Sequence, residues 1–230
     1  MLLRLIRVVR GRAAAGHGLR FTRMKTFLSM LGSVIVAARH GIPTTEEDVS
    51  RYRQLAEIVV RESALDPLWG ESVALDEDAP VPAHVAATAT MLWAIGFHES
   101  GMREEVRRCA VKGDHGRSIG LFQLQRGWTW AGNAQGDICA SDVLQIRLAL
   151  RVLKTYHAMS RSAPPRFWLN GYASGDGGKP TAASKEIRDL WERFSARVGL
   201  RVFPASRTAP AWREDAPRPA ASENRPAVFP

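Results

Sequence analysis

An apolar run that begins near Val85 ends abruptly in His98, Glu99, Ser100 and Gly101. A carboxylate at the far end of so oily a segment has a definite chemical use. Burial favours the neutral carboxyl, and the partial negative charge at a helix C-terminus acts in the same direction. Both effects raise the pKa of Glu99 toward the range in which a general acid works near neutral pH. By itself the residue type decides little, because a glutamate at a helix end usually points into water. His98 beside it reads as a packing or surface residue. The other metal-binding types, Cys109, His115 and Cys139, lack the paired spacing of a zinc site with His98, so neither a metal nor a cofactor is expected.

Two further segments carry polar groups in a pattern. One is GDHGRSIGLFQLQ, Gly113 to Gln125, and the other is YASGDG, Tyr172 to Gly177. The order Glu-Ser, then a polar glycine-containing stretch, then Gly-Leu-Phe-Gln resembles the lysozyme-like superfamily, and within it the lytic transglycosylases. Phe122 stands where a Met is common in that family, and YASGDG resembles its Tyr-Asn-Ala-Gly-x-Gly loop. The resemblance covers roughly residues 83–178. It implies a mainly α, α+β lysozyme-like fold, a single helical domain with a short irregular or β segment lining the cleft. It implies that Glu99 is the catalytic acid, protonating the bridging oxygen of the β-1,4 bond between N-acetylmuramic acid and N-acetylglucosamine. Gly120 would let the backbone approach the sugar, Gln123 would offer its amide to glycan or to the site's backbone, and Tyr172 would orient Glu99 or line the cleft as a sugar platform. The partner is then the glycan strand of peptidoglycan, met by a monomeric enzyme.

The departures from the pattern carry information. Ala173 replaces the Asn that usually follows the loop Tyr, so a contact from that Asn is lost unless Asn170 supplies it. Ser118 stands where animal lysozymes carry an Asp, and a second carboxylate must lie within about 5–9.5 Å of the acid to act as nucleophile or to activate water. Asp114 is the near alternative and Asp176 a remoter one. Without either, the substrate's N-acetyl group and 6-hydroxyl would complete the reaction and leave a 1,6-anhydro sugar. Ser118 in place of Asp tilts the expectation toward that outcome. A muramidase using Asp114 and a non-catalytic glycan-binding or assembly protein are the alternatives.

The elements that must position these residues are helical. Thr44 with Glu47 forms a capping-box pattern, followed by Val49, Tyr52, Leu55, Ala56 and Val59 at helical spacing to about Glu62. Residues 83–98 are apolar on all sides, as a core helix is. Ser141 caps a helix from Asp142 to Tyr156, and Ile187, Leu190, Trp191, Phe194 and Val198 mark a last amphipathic one. Between these, SAPPRFWLNGYASGDGGKP reads as a structured loop around an aromatic segment. The domain expected is 42–202, and the Pro- and Ala-rich residues 203–230 read as disordered.

The net charge of +9 invites a nucleic-acid reading, but eight of the basic residues fall in residues 1–40, which hold no acid. The remainder carries 24 basic and 23 acidic residues, so no nucleic-acid partner is expected. From Met24, MKTFLSMLGSVIVAA has the basic start, apolar core and small-residue end of a signal peptide. Residues 1–38 thus read as a basic leader plus signal peptide, or as a membrane anchor, with any membrane contact transient and confined to the leader. Export to the periplasm or exterior would make Cys109 and Cys139 a disulfide, two buried free thiols being the alternative. A bridge between them would staple one wall of the site.

Overall fold

The computed structural model describes residues 26–33, 45–69, 81–127, 129–159, 165–174 and 180–200. The expected tail at 203–230, most of the leader and Asp176 lie outside them. Within them the chain is mainly helical, with one small antiparallel hairpin. We number a short helix over residues 26–33 as α1, then α2 (Glu46–Leu65), α3 (Ala83–Ser100), α4 (Glu104–Arg107), β1 (Ser118–Ile119), β2 (Leu124–Gln125), α5 (Gln135–Ala140), α6 (Asp142–Met159), α7 (Pro165–Ser174) and α8 (Ala182–Arg197).

The organising element is α3. Every residue from Val85 to Gly96 is buried, so the helix has no solvent face until its last turn. It packs chiefly on α8 and α2. Thr90 in its middle accepts the Trp191 indole N–H at 3.1 Å and the Ser195 hydroxyl at 3.2 Å, which gives α8 a fixed register against it. Gly101 ends the helix in the left-handed conformation, its N–H on the Phe97 carbonyl.

The start of α2 is set one residue later than the sequence pattern suggests. Thr45 and Asp48 form the reciprocal capping box, because both Thr44/Glu47 and Thr45/Asp48 satisfy the same spacing. Tyr52, Leu55, Ala56, Val59 and Val60 face the core, while Val49 is left exposed. Phe27 and Leu31 of α1 are buried in that same core. Glu62, only 3% exposed, accepts from Arg147 of α6 at 2.7 Å and from Arg61 at 3.1 Å, an ion-paired brace between α2 and α6. Among the described residues no helix is long and apolar enough to cross a membrane.

Part of the expected aromatic loop is a helix. Pro165 opens α7 at its first position, where the missing N–H costs nothing and the fixed φ favours the helix, so the proline starts this element instead of breaking it. The helix runs against α6 and α8 and carries Asn170, Tyr172 and Ala173. The last helix begins at a second capping box, Thr181 with Ser184.

Candidate functional site

Glu99 occupies the penultimate position of α3, where the buried helix reaches the surface. Its carboxyl is partly buried and has no hydrogen bond or ion pair among the described residues. Its pKa is pushed up from 4.5 to about 7, first by burial and second by the negative charge of Asp114. Burial, one of the two anticipated causes, leads this shift, and a neighbouring carboxylate adds to it. His98 turns elsewhere: its Nδ1 lies 3.4 Å from a carboxylate oxygen of Glu186 on α8, and burial lowers its pKa.

Asp114 acts on Glu99 through its charge, from a compact loop. After Gly113 a single 3-10 turn, Asp114 to Gly116, places Asp114 and His115 in the left-handed region at φ 46° and 56°. Two successive non-glycine residues there store strain that the surrounding contacts must offset. Ser118 supplies one such contact, its hydroxyl donating to Asp114 Oδ2 at 2.5 Å. Ser118 itself is buried on β1, so its hydroxyl is turned to the carboxylate and away from solvent. Ser118, which stands where animal lysozymes carry an Asp, thus orients the carboxylate of Asp114.

The hairpin pairs Ser118 with Gln125 and Ile119 with Leu124, joined through the turn Gly120 to Gln123. Gly120 has φ 74°, a conformation that costs glycine least. A Cβ there would come within 2.5 Å of Gln145 Oε1. The Gln145 carboxamide occupies the side of Gly120 on which a Cβ would stand, so this packing also requires a glycine. Gln123 donates from Nε2 to the Gly120 carbonyl at 3.1 Å, and its Oε1 covers Gly113, where any Cβ would collide with it. Its amide serves the backbone of the loop. The Tyr172 hydroxyl donates to the Phe122 carbonyl at 2.9 Å, tying α7 to the same turn. Burial and the charge of Glu99 both raise the Tyr172 pKa, so the ring stands near the acid while its proton is committed to the loop. Asn170 is buried in α7 near Ala173.

A residue absent from the sequence expectations holds this wall together. Gln145 of α6, fully buried, accepts from the Leu121 N–H at 2.8 Å and donates to the carbonyls of Arg107 and Ile138, both at 3.0 Å. One side chain thereby joins the turn, α4, α5 and α6. Beside it Arg107 grips Asp142 with two bonds of 2.7 and 2.6 Å and both carboxylate oxygens of Glu104 at 2.8 Å. Cys109 and Cys139 complete the wall as a disulfide, with Cα atoms 5.6 Å apart. Gln145 lies off the stripe of Val143, Ile146 and Leu150 on α6, so no local pattern in the sequence marked it.

An open cleft of about 770 Å³ lies on the outer side of the hairpin, lined by Asp114, His115, Arg117, Gln125 and Arg126. A second hollow of about 530 Å³ continues past Arg126 to Trp130 and Gln135. Glu99 lines neither; Asp114, which borders the first, connects it to the acid by its charge. No group of three His, Cys, Asp or Glu side chains placed to hold a metal ion occurs among the described residues. No family model, curated protein or solved structure matches the chain.

Proposed function

We propose that this chain is an exported enzyme of lysozyme-like fold that cleaves the β-1,4 bond between N-acetylmuramic acid and N-acetylglucosamine in peptidoglycan, as a lytic transglycosylase. The observation that carries the reading is Glu99, a partly buried carboxyl with no ion-pair partner among the described residues, its pKa pushed up to about 7 by burial and by the charge of Asp114, which itself lines an open cleft. Such a group is protonated often enough at neutral pH to donate and basic enough afterwards to take a proton back. Glu99 gives its proton to the bridging oxygen as the C1–O bond breaks. The substrate's N-acetyl oxygen supports the positive charge at C1, and the negative charge of Asp114 favours the same state electrostatically. The ionised Glu99 then removes the proton of the 6-hydroxyl, whose oxygen bonds to C1. The products are a new 4-hydroxyl and a 1,6-anhydro sugar, and the enzyme recovers its proton.

The coupling of Asp114 to Glu99 favours a second reading, hydrolysis, in which Asp114 activates water or attacks C1. Mass spectrometry of muropeptides released by the purified protein separates the two, because a reducing end is heavier than an anhydro end by one water. Glu99→Gln should release neither. Undiminished release by that variant would remove Glu99 from the mechanism, and the absence of any release by the parent protein would leave a glycan-binding or assembly role.

A further inference from the structure

Arg117 and Arg126 face each other across the mouth of the hairpin. The register that pairs Ser118 with Gln125 continues one step outward, and the Arg126 N–H donates to the Arg117 carbonyl at 2.9 Å. Directly opposed residues share one face of a hairpin, and like charges so placed repel. Neither guanidinium has a carboxylate within ion-pair distance among the described residues, although most arginines around them do: Arg107, Arg108 and Arg103 all pair with acids of α4. Arg126 is instead held over the Trp130 ring, 5.8 Å from its centroid. Both arginines line the 770 Å³ cleft, where Asp114 is the only acid and already accepts from Ser118. The cleft therefore presents two exposed cations without an ion-pair partner among the described residues, next to Asp114, on a protein whose residues beyond position 40 are near neutral overall.

We infer that Arg117 and Arg126 form a carboxylate-binding subsite that selects acidic peptidoglycan strands over neutral chitin-like glycan. This rests on the function proposed above and names a determinant of its specificity. The planar guanidinium fork matches a carboxylate, and the mutual repulsion of the pair is relieved when one anion is shared. N-acetylmuramic acid carries such a group, either free on its lactyl arm or at the end of an attached peptide. N-acetylglucosamine polymers carry none.

The test uses the full chain with Glu99→Gln, so that ligands are bound and not consumed. Titration calorimetry compares the disaccharide of N-acetylglucosamine and N-acetylmuramic acid, the same disaccharide bearing a dipeptide, the amidated form of each, and neutral chitotriose. At least one acid should bind about tenfold more tightly than its amide, with the preference weakened by salt. Whichever acid shows the larger preference identifies the lactyl or the peptide source. Adding Arg117→Gln and Arg126→Gln should erase that preference while chitotriose affinity and the melting temperature stay as they were. Equal binding of acids and amides, no binding of either acid, or a preference that survives loss of both arginines overturns the inference. Muropeptide release by the parent protein is scored separately: release without a carboxylate preference retains the proposed function and removes the subsite, and preference without release does the reverse.

Discussion

Replacing Glu99 by glutamine should abolish glycan cleavage and also make the protein more stable above neutral pH. The carboxyl has a pKa of about 7 in the fold against 4.5 in the unfolded chain. Between those values the native state binds more protons than the unfolded state, so stability falls as pH rises through the window. Below 4.5 both states hold the proton and the fold bears no penalty; above about 7 both are ionised and the cost is complete. At 1.36 kcal/mol per pH unit the full interval corresponds to about 3 kcal/mol, and the partial exposure of Glu99 brings the expectation to about 2–3 kcal/mol. Urea unfolding of parent and variant at about pH 4, 6 and 8 reads this directly. The two should coincide at the acidic end and separate in favour of Glu99→Gln at the alkaline end. A variant no more stable than its parent at about pH 8 would refute the claim that the fold holds this carboxyl against its ionisation.

Four other outcomes are expected. Asp114→Asn removes the smaller of the two causes, so the Glu99 pKa followed by carboxyl NMR should fall yet remain above 4.5, and the alkaline limb of the activity profile should move to lower pH. Gln145→Ala leaves the Leu121 N–H and two carbonyls without their partner and should cost about 2–4 kcal/mol in denaturant unfolding. Gly120→Ala should be destabilising as well, and the double variant should lose less than the two singles together, because the truncated Gln145 no longer meets the new Cβ. Serine at both Cys109 and Cys139 should cost roughly 3–4 kcal/mol, measured as a lower unfolding midpoint.

What could be read from the sequence was governed by how local its causes are. The core helix and the position of Glu99 at its end were legible because an apolar run that stops at a charged residue and a glycine needs no knowledge of the rest of the chain. Ser141 was legible as a cap, and its hydroxyl accepts the Leu144 N–H at 3.2 Å. The first capping box was misplaced by one residue because two overlapping Thr/acid pairs carry the same signal. The helix α7 was missed because prolines and glycines read as interruptions, whereas Pro165 falls at the one helical position that suits it. Gln145 was invisible for another reason: its partners at 107, 121 and 138 lie in three separate segments, and only the tertiary arrangement makes its polarity useful. The same applies to Ser118, whose bond to Asp114 requires the left-handed turn between them.

The two carboxyls are mounted very differently, and this has a consequence for how the chain can change. Glu99 sits on a rod enclosed by its neighbours, so its backbone amides should exchange with deuterium only on near-global unfolding. Asp114 sits on a short exposed turn kept in an uncommon backbone geometry by a few side-chain contacts. Substitutions at 113–117 can therefore change the charge that acts on Glu99 while leaving the helix that carries it in place. Under the proposed function, sequence change would gather along that turn and spare the rod.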